Sequence, residues 1–307
     1  MSDARVLRES VVVVSGVRSP TLEGGPADAA EAVVFVHGNP GSSRDWEDLA
    51  TRASDFSRVI ALDMPGFGRA DKPADFDYAV AGYARHLTGA LDKLGVRRVH
   101  LVLHDFGGPW GLAWAAAHPN ELASVTLINT GVLLGYRWHY LARIWQTPIA
   151  GELFMATTTR AGFGLLLKQG NPRGLPKAFV DRMYRDFDKG TRNAVLKLYR
   201  ATRDVASSSR ALAEALSVIP WRAALVVWGK HGPYLPLELA HRQREVFHSA
   251  DVVVLENSGH WPFMDDPDAV ANAVLPFLRR HRDDAVVAPP GSYAAPEAQQ
   301  PAAARAR

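Results

Sequence analysis

The chain of 307 residues contains no cysteine. Disulfides, thiolate metal sites and a cysteine nucleophile are therefore excluded. An excess of charge of one sign is also missing, because the formal net charge is only +3, and nucleic-acid-binding domains are usually far more basic. No apolar run approaches the roughly 20 residues of a membrane-spanning helix, and residues 1–14 lack the pattern of a signal peptide. We therefore expect a cytoplasmic protein without nucleic-acid or membrane partners.

Seven short runs of β-branched or aliphatic residues predict the strands of a sheet. Helical spacing separates the later runs, and such alternation favours parallel strands joined by crossover helices. The sequence therefore predicts an α/β fold. The predicted strands span residues 11–14, 32–36, 58–62, 99–103, 124–128, 224–228 and 251–255.

One long interval interrupts this alternation. Residues 132–216 are rich in helix formers and in large aromatic side chains, which predicts a helical cap inserted after one strand. Residues 1–131 and 217–282 would then form the core. After them the composition shifts to Ala, Pro and Gln, which indicates a disordered tail over residues 283–307.

A carboxylate occupies the most informative strand-to-helix turn. Asp105 follows the apolar run 101–103 and precedes Gly107 and Gly108. Small neighbours at such a turn let one side chain project above the sheet, beside backbone N–H groups. Many hydrolases carry serine there, which adds to acyl carbonyls, whereas an ionised carboxylate suits displacement of a leaving group from an alkyl carbon. We predict that Asp105 is a nucleophile that forms an alkyl ester, rather than a helix N-cap.

The other reactive groups are sought in loops that follow strands, because sites in parallel sheets gather at the carboxyl ends of strands. His260 lies in a late Gly-flanked loop and is the predicted base that activates water against the ester. His104 and His231 are rivals by location, but two-residue alternation turns His104 away from the neighbouring carboxylate. The backbone N–H groups of Asn39 and Phe106 are the predicted oxyanion hole.

In combination and in order, these motifs resemble the α/β-hydrolase family over roughly residues 10–281. Residues 37–40 read His-Gly-Asn-Pro, residues 63–68 read Asp-Met-Pro-Gly-Phe-Gly, and residues 104–108 read His-Asp-Phe-Gly-Gly. The resemblance implies a mostly parallel sheet flanked by helices with an inserted helical cap. With an Asp nucleophile, the chain resembles the branch of the family that contains haloalkane dehalogenases, epoxide hydrolases and fluoroacetate dehalogenases. Asn39 favours a resemblance to haloalkane dehalogenases.

The sequence departs from the dehalogenase pattern directly after the nucleophile. Dehalogenases usually carry a Trp there, whose indole N–H binds the departing halide, and this chain has Phe106, which has no donor. Asn39 together with Trp138 or Trp145 of the cap would have to replace it. Epoxide hydrolases instead protonate the opening oxygen with cap tyrosines, for which the candidates are Tyr136, Tyr140, Tyr184 and Tyr199.

The carboxylate that usually supports the catalytic histidine is also missing. The family commonly places an Asp after the strand that ends here at Trp228, and the corresponding residue is Gly232. The alternative position holds Asn129, which can orient an imidazole but carries no charge. Glu256, near His260 in sequence, is the remaining candidate substitute.

We therefore expect a hydrolase that attacks an alkyl carbon of a small apolar electrophile, similar to a haloalkane dehalogenase, with an epoxide hydrolase as the alternative. The missing acid keeps open a non-hydrolytic lyase, isomerase or cyclase, or a binder without turnover. No cluster of Asp, Glu and His has metal-ligand spacing, and no phosphate-binding loop is present, so no metal or cofactor is expected. The expected partners are a small-molecule substrate and water. Substrate identity and oligomeric state stay open.

Overall fold

The computed structural model describes residues 6–171, 173–219 and 223–283. Within these ranges one sheet contains eight strands, in the order β1, β2, β4, β3, β5, β6, β7, β8. The β1–β2 and β2–β4 pairs are antiparallel and the other pairs are parallel. The predicted α/β fold with a mostly parallel sheet is confirmed. The strands are β1 (Arg8–Val14), β2 (Val17–Gly24), β3 (Glu31–Val36), β4 (Arg58–Leu62), β5 (Arg98–His104), β6 (Leu122–Ile128), β7 (Ala223–Gly229) and β8 (Asp251–Leu255).

Helices flank the sheet. Six of them, α4 to α9, follow one another between β6 and β7, in the interval where the sequence predicts an inserted cap. Of the predicted tail, residues 284–307 lie outside the described residues, and residue 283 ends the last helix. The helices are α1 (Glu47–Ala53), α2 (Val80–Lys93), α3 (Gly107–Ala117), α4 (Tyr140–Gln146), α5 (Ala150–Thr157), α6 (Arg160–Gln169), α7 (Lys177–Asp186), α8 (Lys189–Ala201), α9 (Val205–Ser217), α10 (Glu238–Arg242), α11 (Pro262–Asp265) and α12 (Pro267–Asp283).

The central strands form the core. All side chains of β4 and β6 are buried, as are all but the first residue of β3, β5 and β7. Continuous apolar burial is typical of parallel strands covered on both faces by helices. Strand β2 is absent from the predicted set, because its sequence contains Pro20 and few aliphatic residues. Its register is decided by antiparallel pairing with β1 and β4, a tertiary effect that overrides local propensity.

The sheet topology decides where functional groups meet. Strands β3, β5, β6, β7 and β8 run parallel, so the loops that follow them emerge at one edge of the sheet. In the described part of the chain, no helix is long and apolar enough to cross a membrane. No three His, Asp or Glu side chains of these residues are grouped in a way that suits a metal ion.

Candidate active site

Asp105 lies in a tight turn between β5 and α3. Its φ is +48°, in the left-handed region that non-glycine residues seldom adopt and that carries backbone strain. The Thr130 hydroxyl donates a hydrogen bond to the Asp105 carbonyl oxygen at 2.5 Å, which helps to hold this conformation. A Cβ at Gly38 would lie 2.3 Å from the Asp105 Cβ. Only glycine therefore permits the loop after β3 to approach the Asp105 side chain this closely.

The Asp105 carboxylate is held from two sides. Its Oδ1 accepts a hydrogen bond from the Asn39 backbone N–H at 2.8 Å, and its Oδ2 lies 3.4 Å from Nε2 of His260. Burial on its own would raise the pKa of Asp105, but the neighbouring His260 imidazole and the Asn39 N–H outweigh this effect and bring the pKa down to about 2. Asp105 is therefore ionised at neutral pH and is 16% exposed.

The His260 loop, between β8 and α11, is fastened to the segment that follows α6. The His260 N–H donates to the Gly170 carbonyl at 2.9 Å, and the Trp261 N–H donates to Oδ1 of buried Asn171 at 3.1 Å. A Cβ at Gly259 would lie 1.9 Å from the Gly170 oxygen, so glycine is required for this contact. The helical insertion therefore contributes directly to the position of His260.

His104 supports the same loop from the other side. Its Nε2 donates to the His260 carbonyl at 2.8 Å, and the two imidazole rings are 4.8 Å apart between centroids. Burial is the main cause that lowers the pKa of His104, to about 3, so this ring stays neutral. The other rival, His231, is exposed at the surface. His104 is thus a structural contact of the His260 loop.

Neither candidate substitute for the missing acid contacts the buried Nδ1 of His260. Asn129 binds Gly229, since its Nδ2 donates to the Gly229 carbonyl at 3.3 Å and its Oδ1 accepts from the Gly229 N–H at 2.9 Å. Glu256 is 66% exposed and pairs with Lys230 at 2.6 Å. Among the described residues, Nδ1 of His260 has no hydrogen-bond partner. In the described structure, neither Asn129 nor Glu256 contacts His260 in the manner of the missing acid.

Two cavities meet at the Asp105 side chain. The larger one, about 400 Å³, extends over Phe106 between α2, α3 and α9, and its walls are mainly apolar. The smaller one, about 60 Å³, lies between Asn39, Trp145 and His260. The core and the helical insertion both contribute to each wall. Such concave, mainly apolar spaces with few polar groups are typical of small-molecule sites.

The two tryptophans expected near the site differ in what their indole N–H groups do. The Trp138 N–H donates to the carbonyl oxygens of Thr202 and Arg203 at 3.0 and 3.1 Å, and the Trp138 ring stacks on Phe106 with centroids 5.9 Å apart. The Trp145 N–H is buried, and it has no partner among the described residues. Of the two, only Trp145 presents an uncommitted donor, and it lines the smaller cavity.

The four tyrosines expected from the sequence differ in the contacts of their hydroxyl groups and in their distance from the cavities. The Tyr136 hydroxyl donates to the Tyr234 carbonyl at 2.8 Å, Tyr140 is 56% exposed, and the Tyr184 hydroxyl lies 3.5 Å from the Thr158 carbonyl. Tyr199 lines both cavities beside Asp105. Burial raises the pKa of Tyr199 well above its ordinary value, and the charge of Asp105 adds to the shift. Tyr199 therefore keeps its proton as a neutral phenol.

Comparison with known proteins places this geometry in a family. Residues 31–267 match the family model described as alpha/beta hydrolase fold. The chain belongs to the α/β-hydrolase family. The predicted family and the prediction of a hydrolase are thereby confirmed.

Three relatives illustrate the range of similarity of this α/β hydrolase. It is 27% identical over 288 residues to the cis-3-alkyl-4-alkyloxetan-2-one decarboxylase of Xanthomonas campestris pv. campestris. That alignment covers 87% of this chain and 94% of the decarboxylase. It is 36% identical over 114 residues to a haloalkane dehalogenase of Agrobacterium fabrum, covering 37% of this chain and 36% of that protein. The crystal structure of the haloalkane dehalogenase DatA from Agrobacterium tumefaciens C58 superimposes with a TM-score of 0.79 at 22% identity, over 90% of this chain and 97% of that one.

Two residues of this α/β hydrolase that line both cavities, His139 and Tyr234, were not predicted from the sequence. His139 directly precedes α4 and lines both cavities together with Asp105. Its only local signal is its position just before a helical segment, and histidine is not among the residues most typical of that position. His139 shares cavity walls with Asp105 because the helical insertion folds over the core, and sequence spacing does not predict that arrangement.

Proposed function

We propose that this α/β hydrolase displaces a leaving group from an alkyl carbon with the Asp105 carboxylate and then hydrolyses the resulting ester. The observation that carries the proposal is the position of an ionised carboxylate 3.4 Å from the His260 imidazole, in the lining of two cavities. We also propose that Asp105 occupies a nucleophile elbow and that residues 132–216 act as a cap over a core formed by residues 1–131 and 217–282.

In the first step an Asp105 oxygen forms a bond to the alkyl carbon, and the carbon–halogen bond breaks with its electron pair leaving on the halide. In the second step His260 Nε2 takes a proton from water, and the water oxygen adds to Cγ of the ester. The oxyanion formed there would accept hydrogen bonds from the two proposed donors, the Asn39 N–H and the Phe106 N–H. Collapse releases the alcohol, which takes the proton from His260. The new carboxylic acid then loses its proton to solvent.

The smaller cavity suits the departing halide. Its volume of about 60 Å³ exceeds the roughly 10–15 Å³ of cavity that one water molecule needs. Trp145 lines it beside Asn39, and its uncommitted N–H is the proposed substitute for the donor that Phe106 lacks. The larger, mainly apolar cavity of about 400 Å³ accommodates the rest of a small hydrophobic substrate.

The decisive experiment traps the ester. In a His260→Gln variant, ester formation persists but its hydrolysis is blocked. After incubation with bromoalkanes, chloroalkanes and epoxides, we expect an added alkyl mass on the peptide that contains Asp105. An adduct from epoxides alone would assign the epoxide hydrolase alternative.

Two controls belong with the trap. The double variant Asp105→Asn/His260→Gln should gain no mass, and His231→Gln, which changes an exposed histidine, should keep wild-type turnover. Absence of adduct on a folded His260→Gln variant across reactive bromoalkanes and epoxides would refute the nucleophile assignment.

A second candidate function is the decarboxylation of an oxetan-2-one ring. Two observations favour it. The alignment with the decarboxylase covers 94% of that protein's length, and His260 has no carboxylate of the kind that supports water activation among its described contacts. Asp105 would attack the saturated ring carbon bonded to the ring oxygen, and that carbon–oxygen bond would break with its electron pair leaving on oxygen, which opens the ring to a free carboxylate. Loss of CO₂ then forms the C=C bond and expels Asp105 unchanged, so no water is consumed. Detection of the alkene and CO₂ from a cis-dialkyl oxetan-2-one would support it, and recovery of a hydroxy acid alone would refute it.

A further inference from the structure

The β3 loop, residues 37–45, carries the Asn39 N–H that binds the Asp105 carboxylate. Gly38 and Gly41 lie on either side of that residue, and glycine has no side chain with which to anchor a loop. Oδ1 of the Asn39 side chain has no hydrogen-bond partner among the described residues. The position of the Asn39 N–H therefore depends on contacts that the β3 loop makes farther along the chain.

The helical insertion binds two polar side chains of the β3 loop. Arg182 of α7 donates from Nη1 to the Ser42 hydroxyl oxygen and from Nη2 to Oδ1 of Asp45, each at 2.6 Å. Oδ2 of Asp45 in turn accepts the Ser42 backbone N–H at 3.1 Å. The rigid fork of the guanidinium thus holds two groups of one loop, and Asp45 extends that hold to the loop backbone.

This ion pair is shielded from solvent. The Asp45 side chain is fully buried and that of Arg182 is 14% exposed. The Arg182 guanidinium also lies 5.0 Å from the ring centroid of Phe179. Exposed ion pairs contribute little because water and salt screen them, whereas breaking a buried pair leaves an uncompensated charge. The Arg182–Asp45 pair therefore resists opening and fastens the insertion to the β3 loop.

A second ion pair joins the insertion to the core at a different place. Nζ of Lys72, in the segment after β4, lies 3.1 Å from Oδ2 of Asp188, which directly precedes α8. Within the described ranges, neither residue makes a hydrogen bond to the β3 loop. Loss of this pair would loosen the insertion and leave the contacts of the β3 loop in place, so it is a matched control.

We propose that Arg182 is a positioning residue that holds the β3 loop so that the Asn39 N–H points at the Asp105 carboxyl group. This inference rests on the proposed function and concerns mainly its second step. In the first step negative charge leaves the carboxylate for the departing group. In the second step charge returns to a carboxyl oxygen, and a correctly placed N–H stabilises it. Arg182 lines neither cavity at Asp105, so it acts only through the β3 loop.

Single turnovers with a bromoalkane test this role, with halide release for the first step and alcohol release for the second. Arg182→Met removes both donors. Arg182→Met/Asp45→Asn removes both charges, and it keeps the test open if a buried unpaired Asp45 unfolds the single variant. We expect both to slow alcohol release about 10- to 100-fold, less than the roughly 10²- to 10³-fold cost of losing a whole oxyanion donor, with halide release near the wild-type rate. Lys72→Met should release both products at wild-type rates.

Hydrogen exchange measures the β3 loop without any substrate. Mass spectrometry on the peptide that spans residues 37–45 reports the Asn39 and Ser42 amides, which carboxylates protect. In the Arg182 variants we expect these amides to exchange at least about 10-fold faster, as for the loss of a hydrogen bond between charged groups. Lys72→Met should exchange as wild type.

Three outcomes would overturn the role of Arg182. They are unchanged exchange of the β3 loop in the folded variants, equal slowing of both release steps, and an equally slow Lys72→Met. Failure of the proposed function is distinguishable, because the His260→Gln variant would then form no ester. In that event the exchange of the Asn39 amide still decides whether Arg182 holds the β3 loop.

Discussion

Restoration of a carboxylate behind His260 tests the reaction sequence most directly. A Cβ at Gly232 would lie 3.4 Å from Asn129 Nδ2 and 3.7 Å from both the Gly229 oxygen and the His260 Cα. These are ordinary van der Waals distances, so the first atom of a new side chain fits without displacement. Gly232→Asp would therefore place a carboxylate next to the imidazole whose Nδ1 has no partner in the described structure.

The size of the effect follows from the charge formed on His260 in the second step. When the imidazole takes a proton from water, a carboxylate on Nδ1 gains a charge-assisted hydrogen bond, worth about 1.5 to 3 kcal/mol. That corresponds to about a 10- to 150-fold increase in the rate of ester hydrolysis. The loss of about 10⁴ in turnover when the serine-protease acid is neutralised sets an upper bound for such a gain.

The assay resolves the two steps in single turnovers, with halide release for the first and alcohol release for the second. Gly232→Asp should accelerate alcohol release and leave halide release unchanged. Gly232→Asn has the same shape without the charge, and Gly232→Ala controls for added bulk, so both should resemble wild type. A folded Gly232→Asp variant whose alcohol release is no faster than that of Gly232→Asn would refute the reasoning.

Two further predictions concern the nucleophile and the base loop. The pKa of Asp105 is about 2. When wild-type protein is exposed briefly to a bromoalkane, the rate of ester formation should therefore be constant from about pH 5 upward and should fall only as the pH approaches that pKa. A midpoint near pH 6, measured by mass spectrometry, would contradict an ionised nucleophile. Gly259→Ala would bring a Cβ to 1.9 Å from the Gly170 carbonyl oxygen, so the His260 loop must shift. We expect about a 100-fold loss of turnover, with ester accumulating on Asp105. The control Gly162→Ala, whose new Cβ would have its nearest contact at 3.4 Å, should behave as wild type. Equal turnover of the two alanine variants would argue against the loop contact.

The sequence was sufficient for the class of fold and for the residues to examine first. Parallel strands and crossover helices follow from the alternation of apolar runs, and loops after parallel strands meet at one edge for topological reasons. That rule is why the structure brings Asp105, His260 and the Asn39 N–H together although they lie far apart in the chain. Strand β2 was not predicted, because its conformation is decided by pairing with β1 and β4 and not by its own residues.

Tertiary structure alone decided which polar atoms are engaged. Trp138 and Trp145 are equivalent as sequence candidates. Backbone carbonyls accept the Trp138 N–H, whereas the Trp145 N–H has no partner in the part of the chain that the structure describes. Asn129 is the right residue type to orient His260, but it binds Gly229. Nδ1 of His139 accepts the Ala142 N–H at the start of α4, a contact that is made only once the helix has formed. Hydrogen-bond partners depend on packing between distant segments, so residue identity and spacing determined the chemistry available, and the fold determined which groups remain free to use it.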